Sequence, residues 1–109
     1  MEIVFHSHHA TISDRLRARA ESAVRKLGKR LPGAVSATVR FENDGPVRTV
    51  EFVLLAAGRR QLFAKASGRY WGPTIAEAHR QLEQQVATVK RTRKEQGRKG
   101  VAVRRAASA

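Results

Sequence analysis

The stretch AVSATVRFENDGPVRTVEFVLLAA, residues 34–57, predicts two neighbouring strands and the turn that joins them. Before NDGP, apolar residues alternate with polar ones at Val35, Ala37, Val39 and Phe41, and after it Val50, Phe52 and Leu54 fall on one face of the expected strand. This alternation is typical of strands with one buried face, and Asn-Asp-Gly-Pro is a strong turn signal. A further strand is expected over residues 59–67, after Gly58. Two consecutive hairpins indicate an antiparallel meander.

One strand and one helix precede the meander. Residues 1–7 predict a strand, and its nearly unbroken run of β-forming residues favours a central place in the sheet. A helix is expected over residues 14–30, with Thr11 or Ser13 as its N-cap and Pro32-Gly33 as its stop. Its apolar stripe consists of Leu16, Ala20, Val24, Leu27 and Leu31.

A second helix follows the meander, after GRYWGP. Thr74 and Glu77 have the spacing of a capping box, and the helix is expected to reach about Gln96. Its buried stripe consists of Ile75, Ala78, Leu82, Val86 and Val89. The order β-α-β-β-β-α predicts an α+β fold, a two-layer sandwich with a four-stranded sheet and both helices on one face. We expect one domain over residues 1–96 and a basic, disordered tail over residues 97–109.

The charge is strongly unbalanced, with 22 Lys and Arg against 9 Asp and Glu and a net charge of +13. Such a chain repels itself, so a polyanionic partner is expected, with nucleic acid ahead of an anionic membrane surface. No apolar run is long enough to cross a bilayer, and the first residues lack a signal-peptide pattern. The absence of cysteine excludes disulfides and thiolate chemistry. These features favour a cytoplasmic protein.

The basic residues of the first helix gather on one side. We call the set Arg15, Arg19, Lys26, Lys29 and Arg30 the basic stripe; it covers roughly a third of the circumference, centred about 120° from the apolar stripe. The second helix and its extension supply further candidates, which are Arg80, Lys90, Arg91, Arg93, Lys94, Arg98 and Lys99. Spaced cations of this kind suit the phosphates of structured RNA. The alternative is a solvated face that only maintains solubility.

Other candidate sites are less specific. His6 and His8 share one strand face, but no cysteine or carboxylate stands at ligand spacing, so no metal is predicted. Tyr70 and Trp71 could stack on a base, although packing at the start of the second helix is favoured. No paired carboxylates, Ser/His/Asp set or phosphate-binding glycine loop is present. The chain is therefore not expected to be an enzyme or to need a cofactor.

Two stretches together carry a family resemblance. The first, MEIVFHSHHATISDRLRARAESAVRKLGKR, has a strand, His9, the cap Ser13-Asp14, then Leu16-Arg17 and Lys26-Leu27. The second is LFAKASGRYWGPTIAEAHRQLEQQV, with Ala64, Ala66-Ser67, Ile75, Ala78, Leu82-Glu83 and Gln85. In order, length and spacing they resemble the ribosome hibernation promoting factor and ribosome-associated translation inhibitor family, also named sigma-54 modulation or S30EA-like proteins. The chain resembles the short form, because it ends before the C-terminal domain of long members.

The resemblance implies a fold like that of a double-stranded-RNA-binding domain. It also implies a monomer that binds the rRNA of the small ribosomal subunit where mRNA and tRNA would sit, and so inhibits translation in stressed or stationary-phase cells. Basic residues on both helices would make the contacts, without membrane or small-molecule substrate. The alternatives are a general double-stranded-RNA-binding module and, less favoured, an ion-binding regulator using HSHH.

The chain departs from the family pattern in its second helix. Gln81, Gln84, Ala87 and Thr88 stand where basic residues are common, and GRYWGP replaces a start that is often acidic. Basic residues reappear over residues 90–99. The contact surface is therefore expected to have moved toward the end of this helix and the tail.

Overall fold

The computed structural model describes the backbone of residues 1–108 and the side chains of residues 1–58 and 60–90. In chain order the elements are β1 (Glu2–His8), α1 (Asp14–Arg30), β2 (Ala34–Asp44), β3 (Val47–Ala56), β4 (Arg60–Gly68) and α2 (Trp71–Ser108). One 3-10 turn, Ala57–Arg59, joins β3 to β4, and Gly58 has the positive φ of 82° that this turn requires. The predicted order and α+β class are confirmed.

The four strands form one mixed sheet in the order β1-β2-β3-β4. The β2–β3 and β3–β4 pairs are antiparallel, which confirms the predicted meander. β1 pairs in parallel with β2 alone, so it is an edge strand and the prediction of a central strand is wrong. Its apolar residues are only half covered: Phe5 has the guanidinium of Arg17 at 4.5 Å from its ring centroid, and Val4 lies exposed on the other face.

The core fills the space between one face of the sheet and the two helices. It contains the predicted inward residues of β2, β3 and β4 and the predicted stripes of α1 and α2, except that Leu16 and Val89 are only partly buried against it. Its largest fully buried side chains include Phe41, Phe52, Leu27, Leu54, Ile75 and Leu82. Val35 is the exception among the predicted inward residues. The β2–β3 register shifts between Ala34 and Ser36, and Val35 is consequently 53% exposed.

The two ends of α1 follow the sequence closely. The hydroxyl oxygen of Ser13 accepts a hydrogen bond from the Leu16 N–H at 3.2 Å, so Ser13 is the N-cap of the two candidates. At the other end, the Leu31 N–H donates to the Leu27 carbonyl, and Gly33 adopts a φ of 76°. The chain can then turn directly into β2.

The start of α2 differs from the prediction. The helix begins at Trp71, and Pro73 lies in its first turn, where its missing N–H needs no partner. Thr74 is therefore inside the helix, and its hydroxyl donates to the Tyr70 carbonyl at 2.6 Å. Glu77 accepts hydrogen bonds from Arg80 and Gln81 instead of reaching back to Thr74. The capping-box prediction is wrong because Pro73 allows the helix to start four residues earlier, at Trp71 instead of Ile75.

α2 is also longer than predicted, since its backbone continues past Gln96 to Ser108. No proline follows Pro73, and the final segment is rich in alanine, arginine and lysine, which favour helix. The division into a domain over residues 1–96 and a tail over residues 97–109 stays a prediction, because the side chains from residue 91 onward lie outside the described part.

Side chains of α2 cover the free edge of β4. The Phe63 N–H donates to Gln85 Oε1 at 3.1 Å, and Gln85 Nε2 donates back to the Phe63 carbonyl. The Lys65 N–H donates to Gln81 Oε1 at 3.3 Å. These two glutamines supply β4 with hydrogen bonds that a fifth strand would otherwise make, which leaves this part of the edge closed to another chain.

Candidate nucleic-acid interface

α1 and α2 lie side by side and run in the same direction. Near the start of α2, the Arg19 guanidinium lies so close to Gly72 that a Cβ there would be 3.2 Å from Nη1. Eleven residues further along both helices, Arg30 Nη1 is 3.9 Å from the Glu83 carboxylate. Because the second contact lies eleven residues after the first on both helices, the two helices must run parallel. Their outer surfaces therefore form one continuous face, opposite the open side of the sheet.

The basic stripe lies on this face, with all five of its side chains exposed. Arg30 faces Glu83 at a long distance. Among the described residues, Arg15, Arg19, Lys26 and Lys29 form no salt bridge. An unpaired surface cation can neutralise a phosphate without first losing a carboxylate partner. Helical spacing, which the sequence already fixes, thus produces a line of four available positive charges.

Arg80 is exposed on α2 but is engaged within its own helix. Its guanidinium donates to both carboxylate oxygens of Glu77, at 3.0 and 2.6 Å. The hydrogen bond from Arg80, and then that from Gln81, holds the pKa of Glu77 below its usual value. The same hydrogen bond, which Glu77 accepts, raises the pKa of Arg80. Glu77 therefore offsets the positive charge that Arg80 presents on this face.

We expect Glu77→Gln to tighten RNA binding, because it releases Arg80 from a neighbouring negative charge. If Arg80 then contacts one more phosphate, the slope of log affinity against log salt should steepen by about 0.7 to 0.9. The matched control is Glu21→Gln, which releases Arg25, a residue outside the basic stripe. Binding measured over a salt series would contradict a role for Arg80 if both variants changed affinity equally.

The remaining candidates on α2 fall into two groups. Lys90 is exposed. The side chains of Arg91, Arg93, Lys94, Arg98 and Lys99 lie outside the described residues, so their assignment stays a prediction. In the middle of α2, Gln81 and Gln85 bind the β4 edge. For Gln81, one of the four positions where basic residues are common in the family, this contact gives a structural reason for an amide instead of a cation.

A cluster of side chains at the start of α2 was not predicted from the sequence. Arg48 donates a hydrogen bond to the Arg69 carbonyl, and its guanidinium lies 5.9 Å from the Trp71 ring centroid. Trp71 in turn packs edge-on against Phe41, with ring centroids 5.6 Å apart. The packing prediction thus applies to Trp71 but not to Tyr70, which is 65% exposed. Arg48 lies on the same face of β3 as the buried Val50 and Phe52. A cation on this otherwise apolar face was the sequence signal that could have indicated the cluster.

The histidines near the end of β1 lie away from this face. His6 and His8 are exposed and line a shallow depression with Ser7, Arg40 and Glu42. The described residues contain no group of three His, Cys, Asp or Glu placed to hold a metal ion, and Arg40 would repel a cation at this point. The absence of a metal stays a prediction. No helix in the described part of the chain is long and apolar enough to cross a membrane.

The family model described as "Sigma 54 modulation protein / S30EA ribosomal protein" matches residues 3–94. The chain belongs to this family. The match covers the sheet from residue 3 onward, all of α1 and α2 as far as residue 94, and it confirms the resemblance seen in the sequence. A comparison with curated proteins gave no significant match.

Two solved structures show the same fold as this family member. A ribosomal subunit interface protein from Coxiella burnetii superposes with a TM-score of 0.67 at 19% identity, over 83% of this chain and 98% of that chain. The N-terminal domain of Protein Y from Thermus thermophilus gives a TM-score of 0.64 at 19% identity, over 84% of this chain and 99% of that chain. At 19% identity, these two matches show that the fold is shared.

Proposed function

We propose that this protein is a ribosome-associated hibernation factor. It binds the rRNA of the small subunit in the path of mRNA and tRNA and inhibits translation in non-growing cells. The observation that carries the proposal is the line of four cations on α1 that form no salt bridge with any other described residue, in a member of a family whose description includes a ribosomal protein. A ribosomal subunit interface protein among its structural neighbours supports the same partner.

The mechanism is occupancy, and it needs no chemical step. From Arg15 to Lys29 the stripe extends along α1 for roughly 21 Å, at about 1.5 Å per residue, which suits several phosphates in succession. Contacts of this kind fix position and orientation but carry no base sequence. The packed sheet behind the helices gives the domain a fixed volume that mRNA and tRNA cannot share. Because ribosomes are cytoplasmic, the protein would lie in the cytoplasm. When it is not bound to a ribosome, it would be a monomer.

Sucrose-gradient sedimentation of lysates from stationary cells tests the proposal. We expect the protein to travel with small subunits or whole ribosomes, and purified protein to reduce translation when it is added to ribosomes before mRNA. A general double-stranded-RNA-binding module would instead distribute over many RNA species. Absence from every ribosomal fraction, or unchanged translation at saturating protein, would contradict the proposal.

A further inference from the structure

The turn between β4 and α2 presents one aromatic ring to solvent. Tyr70 is 65% exposed, whereas the neighbouring Trp71 is held against Phe41 and covered by Arg48. Tyr70 is the only tyrosine and Trp71 the only tryptophan in the chain. The structure therefore separates two adjacent aromatic residues into one that packs and one that does not.

The backbone that carries Tyr70 is firmly held. The Tyr70 carbonyl accepts two hydrogen bonds from Thr74, one from its N–H at 3.3 Å and one from its hydroxyl at 2.6 Å. The preceding carbonyl, that of Arg69, accepts one from Arg48. Gly68 lies so close that a Cβ there would be 2.6 Å from the Thr74 hydroxyl. A ring on a backbone fixed in this way loses little conformational freedom when it binds a ligand.

Positive charge lies close to this turn. Arg19 of the basic stripe reaches Gly72, two residues along the chain, and Arg69 is exposed directly before Tyr70. The first turn of α2 contains no acidic residue. The line of cations on α1 therefore leads to the exposed ring, so an RNA strand bound along the stripe would pass Tyr70.

We propose that Tyr70 stacks on one unpaired nucleobase of the bound RNA, while Arg19 and Arg69 neutralise phosphates on either side of that nucleotide. Bases in an A-form duplex already stack on each other, so a side chain can take only a base from a loop, bulge or strand end. This inference rests on the proposed function, because it needs RNA along α1. It goes further by giving the protein a preference for a site where a helix is interrupted.

Replacement of Tyr70 by leucine and by phenylalanine tests the inference on purified small subunits. Stacking is worth a factor of roughly 5 to 160 in affinity, so Tyr70→Leu should weaken binding by a factor in that range and leave the salt slope unchanged. Tyr70→Phe should bind like the unaltered protein. The matched control is Phe63→Leu, which removes an exposed ring from the open face of the sheet and should change affinity by less than about twofold. Normal binding by Tyr70→Leu would overturn the inference.

A second measurement separates this inference from the proposed function. The probes are two RNA hairpins that differ by one unpaired nucleotide. The unaltered protein should prefer the interrupted hairpin, and Tyr70→Leu should lose that preference. If the protein prefers this hairpin but does not bind small subunits, stacking stands and the proposed function is wrong. If the protein binds small subunits and Tyr70→Leu changes neither the affinity nor the hairpin preference, only the stacking inference is wrong. If the protein binds neither hairpin and no small subunit, both the inference and the proposed function are wrong.

Discussion

Replacing Arg15, Arg19, Lys26 and Lys29 together by glutamine is expected to weaken binding to small ribosomal subunits about a thousandfold at 0.1 M salt. Each lost phosphate contact should lower the slope of log affinity against log salt by about 0.7 to 0.9, so four contacts lower it by roughly 3 to 4. Over the decade between 1 M and 0.1 M salt, that difference amounts to about three orders of magnitude. Binding across a salt series measures it directly.

The control must remove the same charge from a different face. Lys26→Gln with Lys29→Gln on α1 can be compared with Arg40→Gln and Lys65→Gln, whose side chains lie on cross-strand positions of the open sheet face. We expect the first pair to lower the salt slope by about 1.4 to 1.8 and the second to have a small effect. Melting temperatures should not fall, since removing like charge relieves repulsion in a chain of +13. Equal losses from both faces would mean that net charge alone governs binding.

Replacing Gln81 and Gln85 together by alanine is expected to lower the free energy of unfolding by roughly 1.5 to 4.5 kcal/mol. The variant loses three hydrogen bonds to the β4 backbone, each with a net contribution of about 0.5 to 1.5 kcal/mol. For a domain of this size the melting temperature should drop on the order of 10 °C. Thermal or denaturant unfolding gives the measurement.

Gln84→Ala provides the matched control, because Gln84 is exposed on the same helix and, among the described residues, its side chain makes no hydrogen bond to β4. Its effect should be within about 0.5 kcal/mol. The double variant should also self-associate as its concentration rises, since an uncovered strand edge can pair with a second chain. A double variant as stable as Gln84→Ala, and monomeric at high concentration, would show that the glutamines do not protect the edge.

Periodicity was sufficient for the elements because their buried faces repeat locally. The inward rows of β3 and β4 and the apolar stripes of both helices follow from spacing alone. The position of β1 at the edge of the sheet does not follow from spacing. Strand order depends on how α1 returns the chain beside β2, and this long-range relation leaves no mark on the local pattern of Ile3 and Phe5. The start of α2 was misread since the Thr74–Glu77 spacing fits both a cap and a helix interior, and Pro73 decides between them.

The candidate site was partly predictable for the same reason. Helical geometry places the basic stripe once α1 is known, and the Glu77–Arg80 pair is three residues apart, so it could have been read from the sequence. The contact between Arg30 and Glu83 depends on the packing of two helices that are distant in the chain. Likewise, nothing local shows that Gln85 meets the backbone of Phe63 or that Arg48 holds the turn before Tyr70.

The shared direction of α1 and α2 has an electrostatic consequence for the whole domain. Aligned peptide dipoles place about half a positive elementary charge at the N-terminus of each helix, and in a parallel pair these poles lie at the same end. An antiparallel pair would cancel them. The negative poles are apart, since α1 ends at Arg30 and α2 continues to Ser108. The two-helix layer is therefore polarised along its axis, and an approaching polyanion would be turned toward the end that carries Tyr70.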